Sequence, residues 1–417
     1  MTDKKYADFS WDFRTSNTKM FTHCYHAYPA MMIPQVAGRI IDKYGDKAEL
    51  LFDPYCGTGT SLVEANLRNI NSVGTDLNPL ARLITTAKTF TPSIQELDLY
   101  LNCFNNHILF RLGMRDNDSI IPPNFKNIDF WFTKDVQQKL SIIKMFIDKI
   151  EEQSIKIFFE VAFSEVVRES SLTRNSEFKL FKMPVSQIAK FNPDVFAIMR
   201  TKLNRNKAGL TEYLKERINN PVTMVCDFNT VESVPFEFIE NNSVDIVVTS
   251  PPYGDSRTTV AYGQFSRLAN QWLGVDNAQS IDNELMGGKS NNSDFVFSSK
   301  ILNETLDKIS GKDPKRAKEV YSFYVDYNKS INNVSKVVKG GGYACYVVGN
   351  RRVKGTTLPT DEITIDMFCE NGFDYIETII RNIPNKRMPS KNSPSNVPGV
   401  LDTTMKNEYI VILKKIA

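Results

Sequence analysis

Residues 49–88 read "ELLFDPYCGTGTSLVEANLRNINSVGTDLNPLARLITTAK", and the order of side chains in this stretch alternates strand and helix signals. A short apolar run through Leu50 and Phe52 breaks at Asp53-Pro54, Gly57 and Gly59 punctuate the turn, and helical spacing follows from Ser61. A second short run through Val73 ends at Asp76, and Asn78-Pro79 supplies a cap and a first turn for the next helix. Strand, glycine turn, helix, strand, helix is the opening half of a doubly wound sheet, so the expected fold class is α/β.

Working outward, the alternation lapses after residue 89. Segments 95–115, 134–168 and 185–218 carry helical periodicity, so 90–220 reads as a mainly helical insertion. Strand signals return at "VTMVCDF" (222–228) and "SVDIVVTS" (243–250), both apolar enough for central, parallel positions. A second, polar insertion spans 254–318, where "GGKSNNSD" offers nothing to bury. From 319 a helix, the strand "YACYVVGN" and a helix near 360–371 follow. The strands "FDYIETIIRNI" and "NEYIVILKK" close the chain and are expected to pair antiparallel around 384–406. The count is about seven strands, the last two set apart from the parallel ones.

Composition bounds the function classes. The 417 residues are 41% hydrophobic and 24% charged, which disfavours disorder and fibrous builds. No run of eighteen apolar residues offers a bilayer span, and "MTDKKYADFSWDF" lacks the apolar core of a secretory signal, so the chain reads as cytoplasmic with no membrane partner. Six cysteines form no C-x-x-C pair and only three histidines are present, so no metal site is expected. A net charge of +3 permits nucleic-acid binding without arguing for it.

Asp53, Pro54, Cys56, Gly57, Thr58, Gly59 and Thr60 stand where strand turns into helix and backbone can approach a ligand. The loop is neither G-x-G-x-x-G nor a lysine-bearing P-loop, so a diphosphate is not the obvious guest. A nucleoside with a zwitterionic amino-acid tail, S-adenosylmethionine, suits a loop that begins with an acid. Asp76, with Leu77 beside it, is placed to accept from both ribose hydroxyls, and Asp227, followed by Phe228, to accept from the adenine amino group.

The strand "VDIVVTS" runs into "PPYGDS" (251–256). Two prolines cannot extend a central ladder, but they can hold a carbonyl rigid at a sheet edge where ligands bind. An exocyclic amine of a nucleobase is a poor nucleophile because its lone pair is conjugated into the ring. Acceptors aimed at its two N–H bonds, the Ser250 hydroxyl and the Pro251 carbonyl held by Pro252, favour a tetrahedral nitrogen and so stabilise the transition state more than the ground state. Tyr253 offers a face on which a flipped base can stack. Asp255 or water can collect the proton.

With the glycine loop and Ser250-Pro-Pro-Tyr253 in this order, the sequence resembles the S-adenosylmethionine-dependent amino-methyltransferases of DNA, in particular the N4-cytosine type. The resemblance covers Asp53–Thr60, Asp76, Asp227 and Thr249–Tyr253. It implies a Rossmann-like methyltransferase sheet formed by 1–89 and 221–417, with 90–220 as candidate DNA-recognition region. The segment "THCYHAYPAMMIPQVAGRII" (22–41) looks like the family's element that closes over the methionine end, with Tyr25, His26 and Pro29 as candidates. Related adenine enzymes carry Asp or Asn in place of Ser250, so the serine favours cytosine. The implied substrate is double-stranded DNA, with a cognate restriction endonuclease acting separately. N6-adenine methylation, guanine-N2 methylation of RNA, and an inactive nucleic-acid-binding protein are the rival readings. Candidates for DNA contact are Arg257, Tyr262 and Arg267 after the catalytic motif, Arg168 and Arg174 at the end of a strong helix, and Arg381, Lys386, Arg387 and Lys391 in the closing loop.

Overall fold

The computed structural model describes residues 4–114, 120–174, 177–254, 260–291, 295–383, 391–392, 402–403 and 405–417. Eight strands build the main sheet: β1 (Lys5–Ala7), β2 (Leu50–Asp53), β3 (Asn71–Thr75), β4 (Thr223–Cys226), β5 (Val244–Thr249), β6 (Val338–Val348), β7 (Phe373–Asn382) and β8 (Asn407–Lys415). Their order is β1-β7-β8-β6-β5-β2-β3-β4. The block from β6 to β4 is parallel, and β8 lies antiparallel to both β6 and β7. The fold is thus α/β with a mostly parallel sheet and an antiparallel closing pair.

Strand β5 shows why the centre of the sheet is covered on both faces. Val244 and Val247 enter one core, with Phe52 and Tyr346, while Ile246 and Val248 enter the other, with Leu51 and Cys345. Successive side chains of a strand point to opposite faces, so the apolar run Ile246–Val248 alternates between the two cores, and the register shift between Val244 and Ile246 lets Val244 join Val247 on its side. The covering helices are α1 (Pro34–Tyr44), α2 (Thr60–Leu67), α3 (Pro79–Thr89), and, after the helical region, α9 (Lys300–Ser310), α10 (Pro314–Val337) and α11 (Thr360–Cys369), while α8 (Tyr262–Trp272) packs on the helical region. Helix α3 starts as its sequence dictates: Asn78 Oδ1 accepts from Leu80 N and Pro79 occupies the first turn.

Between β3 and β4, every long element is helical: α4 (Ile94–Gly113), α5 (Lys134–Ile147), α6 (Gln153–Ser170) and α7 (Val195–Glu216). They do not form a core of their own. Phe158, Phe159 and Tyr213 share one cluster with Val63 of α2, Leu80 and Ile84 of α3, and Trp272 of α8.

Two expectations about the sheet are corrected. Thr223–Cys226 is an edge strand, not a central one: among the described residues it pairs only with β3, and Met224 is 39% exposed. The opposite edge is β1, paired parallel to β7, whose three residues carry no strand signal of their own. Among the described residues, no helix is long and apolar enough to cross a membrane.

Candidate functional site

Strands β2 and β5 are neighbours in parallel register, Leu51 opposite Ile246 and Phe52 opposite Val247. Their C-terminal ends therefore release the glycine turn and the double proline side by side. The link is direct: Thr249 Oγ1 donates to Asp53 Oδ1 at 2.5 Å. Both turns open on one cleft, which encloses about 1050 Å³ of space, part of it open to solvent.

The turn is shaped by left-handed backbone at Gly57 (φ 50°) and Gly59 (φ 72°). At Gly59 a Cβ would stand 2.6 Å from Thr85 Cγ2, so the residue also lets α2 lie close to α3. Asp76 organises the same loop, its Oδ2 accepting from Gly57 N at 3.0 Å and its Oδ1 from Asn78 N at 2.8 Å. Buried Lys88 donates to Thr58 O from beneath, at 2.8 Å.

Asp53, Pro54, Cys56, Gly57, Thr58, Thr60, Asp76, Leu77, Phe228, Ser250 and Pro252 all line the cleft. Burial pushes the Asp53 carboxyl up to about 6, against the opposing effect of the Thr249 hydroxyl bond. Burial also raises Asp76, partly offset by its two backbone donors. Among the described residues, no Lys, Arg or His lines the cleft. Two carboxylates without a lining cation favour a cationic guest and disfavour a diphosphate. A ligand carrying a sulfonium and an ammonium, as S-adenosylmethionine does, fits this charge pattern.

At the motif itself, Ser250 Oγ donates to Val347 O at 3.0 Å and lies 3.3 Å from the Tyr253 hydroxyl. Tyr253 in turn donates to Glu408 Oε1 at 3.2 Å. Its ring lies against Gly349, where a Cβ would stand 3.0 Å from Tyr253 Cδ2.

Several residues singled out from sequence lie elsewhere. Tyr25 is fully buried in the helical core, edge-on to Phe158 at 5.7 Å, and does not reach the cleft. Of that segment's candidates Pro29 lines the cleft, together with Tyr28 and Ala30 through Met32. His26 is buried beside Phe265, and burial lowers its imidazole to about 4. Asp227 follows β4 with its side chain 75% exposed, 3.9 Å from Arg82, and does not line the cleft; Phe228 does.

The basic candidates divide sharply. Arg381 is 3% exposed, donates to Trp11 O and Asp12 O, and pairs with Glu408, so it has no surface to offer a phosphate. Arg168 is likewise withdrawn: it bonds to the carbonyls of Phe265 and Glu177 and lies 4.1 Å over the Phe265 ring. Tyr262 lines the cleft and stacks on Tyr28 at 5.9 Å rather than facing outward. Arg174 is exposed, paired with Glu177 at 3.3 Å. Arg267 is partly buried on α8, its Nε without a partner. Arg257, Lys386 and Arg387 lie outside the described residues, as does the Lys391 side chain, although Lys391–Asn392 pairs with Asp402–Thr403.

Sequence reasoning missed Tyr28, Asn78 and Glu408. Asn78 Nδ2 donates to the Tyr28 hydroxyl at 2.9 Å and to Ser266 Oγ at 3.1 Å, tying the cleft wall to α8. The signal for Asn78 was present, since its side chain caps α3 directly after Asp76. For Glu408, on a closing strand, there was none.

No protein-family model matches the chain. It is 40% identical over 425 residues to the type II methyltransferase M.MvaI of Kocuria varians, covering 96% of this chain and 93% of that protein. Type II methyltransferase M.MjaII of Methanocaldococcus jannaschii is 26% identical over 218 residues, 51% of this chain and 40% of its own length. Type II methyltransferase M.BsoBI of Geobacillus stearothermophilus is 22% identical over 310 residues, 66% and 58% of the two chains. With the first of these matched nearly end to end, the chain belongs to the type II DNA methyltransferases of restriction-modification systems, which draw the methyl group from S-adenosylmethionine.

Proposed function

We propose that the methyl group goes to the exocyclic N4 of a cytosine flipped out of duplex DNA. The observation that carries this reading is the Ser250 hydroxyl: it donates its one proton to Val347 O, so its lone pairs are left to accept from an amine. An acceptor at this place, beside the carboxylate cleft, draws an amino N–H toward it and turns the nitrogen lone pair outward. The Pro251 carbonyl takes the second N–H, and Tyr253 stacks on the base.

In the cleft, Asp53 holds the donor's ammonium, Asp76 accepts from the ribose hydroxyls, and Phe228 contacts the adenine ring. When bound, S-adenosylmethionine supplies an electrophilic methyl carbon whose C–S electron pair leaves on sulfur. The chain need only orient the amine, since the N-methylated aminium gives up its proton readily to water. The helical region between α3 and β4, and the residues after the catalytic motif, are assigned to reading the DNA, with Arg174 and Arg267 as candidates. A separately acting endonuclease of the same specificity is the implied partner.

The test is transfer itself. The protein is incubated with isotopically labelled donor and plasmid DNA, the DNA is digested, and the nucleosides are identified by mass spectrometry. N4-methylcytosine is the expected product; N6-methyladenine alone overturns the assignment of the base.

The buried Asp53 adds a pH prediction. Its carboxyl is raised to about 6, so it is ionised above that pH and neutral below. Only the ionised form attracts an ammonium. Donor affinity is expected to be greatest near pH 7 and to fall by up to about tenfold per unit below pH 6. Calorimetric titration from pH 5 to 8 measures this, and Asp53→Asn is expected to weaken binding and flatten the profile. A wild-type profile flat to pH 5 would remove Asp53 from the ammonium site.

A further inference from the structure

Tyr253 has one hydroxyl proton and two acceptors within reach, Glu408 Oε1 at 3.2 Å and Ser250 Oγ at 3.3 Å. The choice between them matters chemically. If the phenol donates to Ser250, it occupies a lone pair that the substrate amine needs. If it donates to Glu408, Ser250 keeps both lone pairs, its own proton being committed to Val347 O.

Glu408 is built to win this competition. A carboxylate is the stronger acceptor of the two, and this one is only 18% exposed. It is held from the far side by Arg381, whose Nη1 donates to Glu408 Oε2. That guanidinium is itself fixed, with Nε on Trp11 O at 2.8 Å. Burial and the neighbouring carboxylate raise the Tyr253 phenol well above its ordinary value, so it remains a donor. The chain of contacts runs from the first residues of the protein through β7 and β8 to the catalytic motif.

We propose that Glu408 is a positioning residue for methyl transfer: it takes the Tyr253 hydroxyl proton and thereby keeps Ser250 Oγ free to accept from the substrate amine. This rests on the reading of Ser250 as acceptor. The pair Arg381–Glu408 serves the active site from behind instead of meeting DNA.

The test is a double-mutant cycle on the full-length protein with duplex DNA. In Glu408→Gln the amide presents its N–H₂ to Tyr253, because its oxygen goes to Arg381, and the phenol turns to Ser250. Turnover is expected to fall about tenfold, the effect of one misdirected hydrogen bond, with the donor's dissociation constant unchanged. In a Tyr253→Phe background there is no phenol to redirect, and the same Glu408→Gln change is expected to alter turnover by less than about twofold. An equal loss in both backgrounds means that Glu408 only supports the fold, and no loss in either means that it does nothing here; each overturns the proposal. Should Glu408→Gln fail to fold, Glu408→Asp, which keeps the charge beside Arg381 but withdraws it from Tyr253, is read by the same criteria. Product analysis keeps the two claims apart: N6-methyladenine from the wild type overturns the cytosine assignment, while the background dependence still reports on Glu408.

Discussion

Tyr253→Ala is expected to lower turnover by about a hundredfold or more, at least about 3 kcal/mol of transition-state stabilisation, while donor affinity stays within about twofold. The asymmetry follows from placement. Ser250 and Pro252 line the cleft that Asp53 and Asp76 share, whereas Tyr253 does not. Its ring packs against Gly349 and its hydroxyl reaches Glu408, on the β6 and β8 side of the motif. Removing the ring removes a stacking surface for the base and releases the phenol contact beside Ser250, but leaves the donor's walls intact. Single-turnover kinetics and donor titration together measure it. Turnover within threefold of wild type would take Tyr253 out of the reaction.

Asp76→Ala is expected to act in the opposite sense, on the donor. Two charge-assisted bonds to ribose hydroxyls, each worth roughly 1.5–3 kcal/mol, predict a loss of affinity of about a hundredfold or more. A second effect adds to the first. The same carboxylate accepts from Gly57 N and Asn78 N, so its removal frees the glycine loop and the start of α3. Asp76→Asn keeps one acceptor oxygen and is expected to fall between wild type and alanine. Affinity within fivefold of wild type in Asp76→Ala would place the donor elsewhere.

Much of this site could be read from local chemistry. The glycines, Asn78-Pro79 and the acid after each of two strands are constrained by backbone geometry, and backbone geometry is written in short stretches. The antiparallel closing pair was legible for the same reason, from two apolar runs around one long loop. What sequence could not say was the direction in which long side chains point. Arg168 and Arg381 look like phosphate contacts because their neighbours are polar or basic. Each is instead held by partners far along the chain, Phe265 for one and Trp11, Asp12 and Glu408 for the other. Tyr25 and Tyr28 differ by three positions, yet Tyr25, directly after the short helical turn at Phe21–Cys24, is buried within the helical core, while Tyr28 packs on the edge of that core and lines the cleft. The edge position of β4 was hidden as well, since four apolar-to-mixed residues do not reveal how many neighbours they have.

On the proposed reading, one fold serves two ligands. Asp53 and Thr249 end adjacent parallel strands and bond to each other, which brings donor loop and acceptor motif into register without a flexible joint. The helical region packs on α2, α3 and α8, so a reader of DNA mounted there is braced against the same helices that frame the cleft.

A crystal structure of the protein with S-adenosylmethionine would show whether the donor sits between the glycine turn and the double proline. The ammonium is expected at Asp53, the ribose hydroxyls on Asp76, and the methyl carbon facing Ser250 Oγ across open space. A donor bound away from the glycine turn, or one whose methyl is walled off from Ser250 by packed side chains, would contradict this placement.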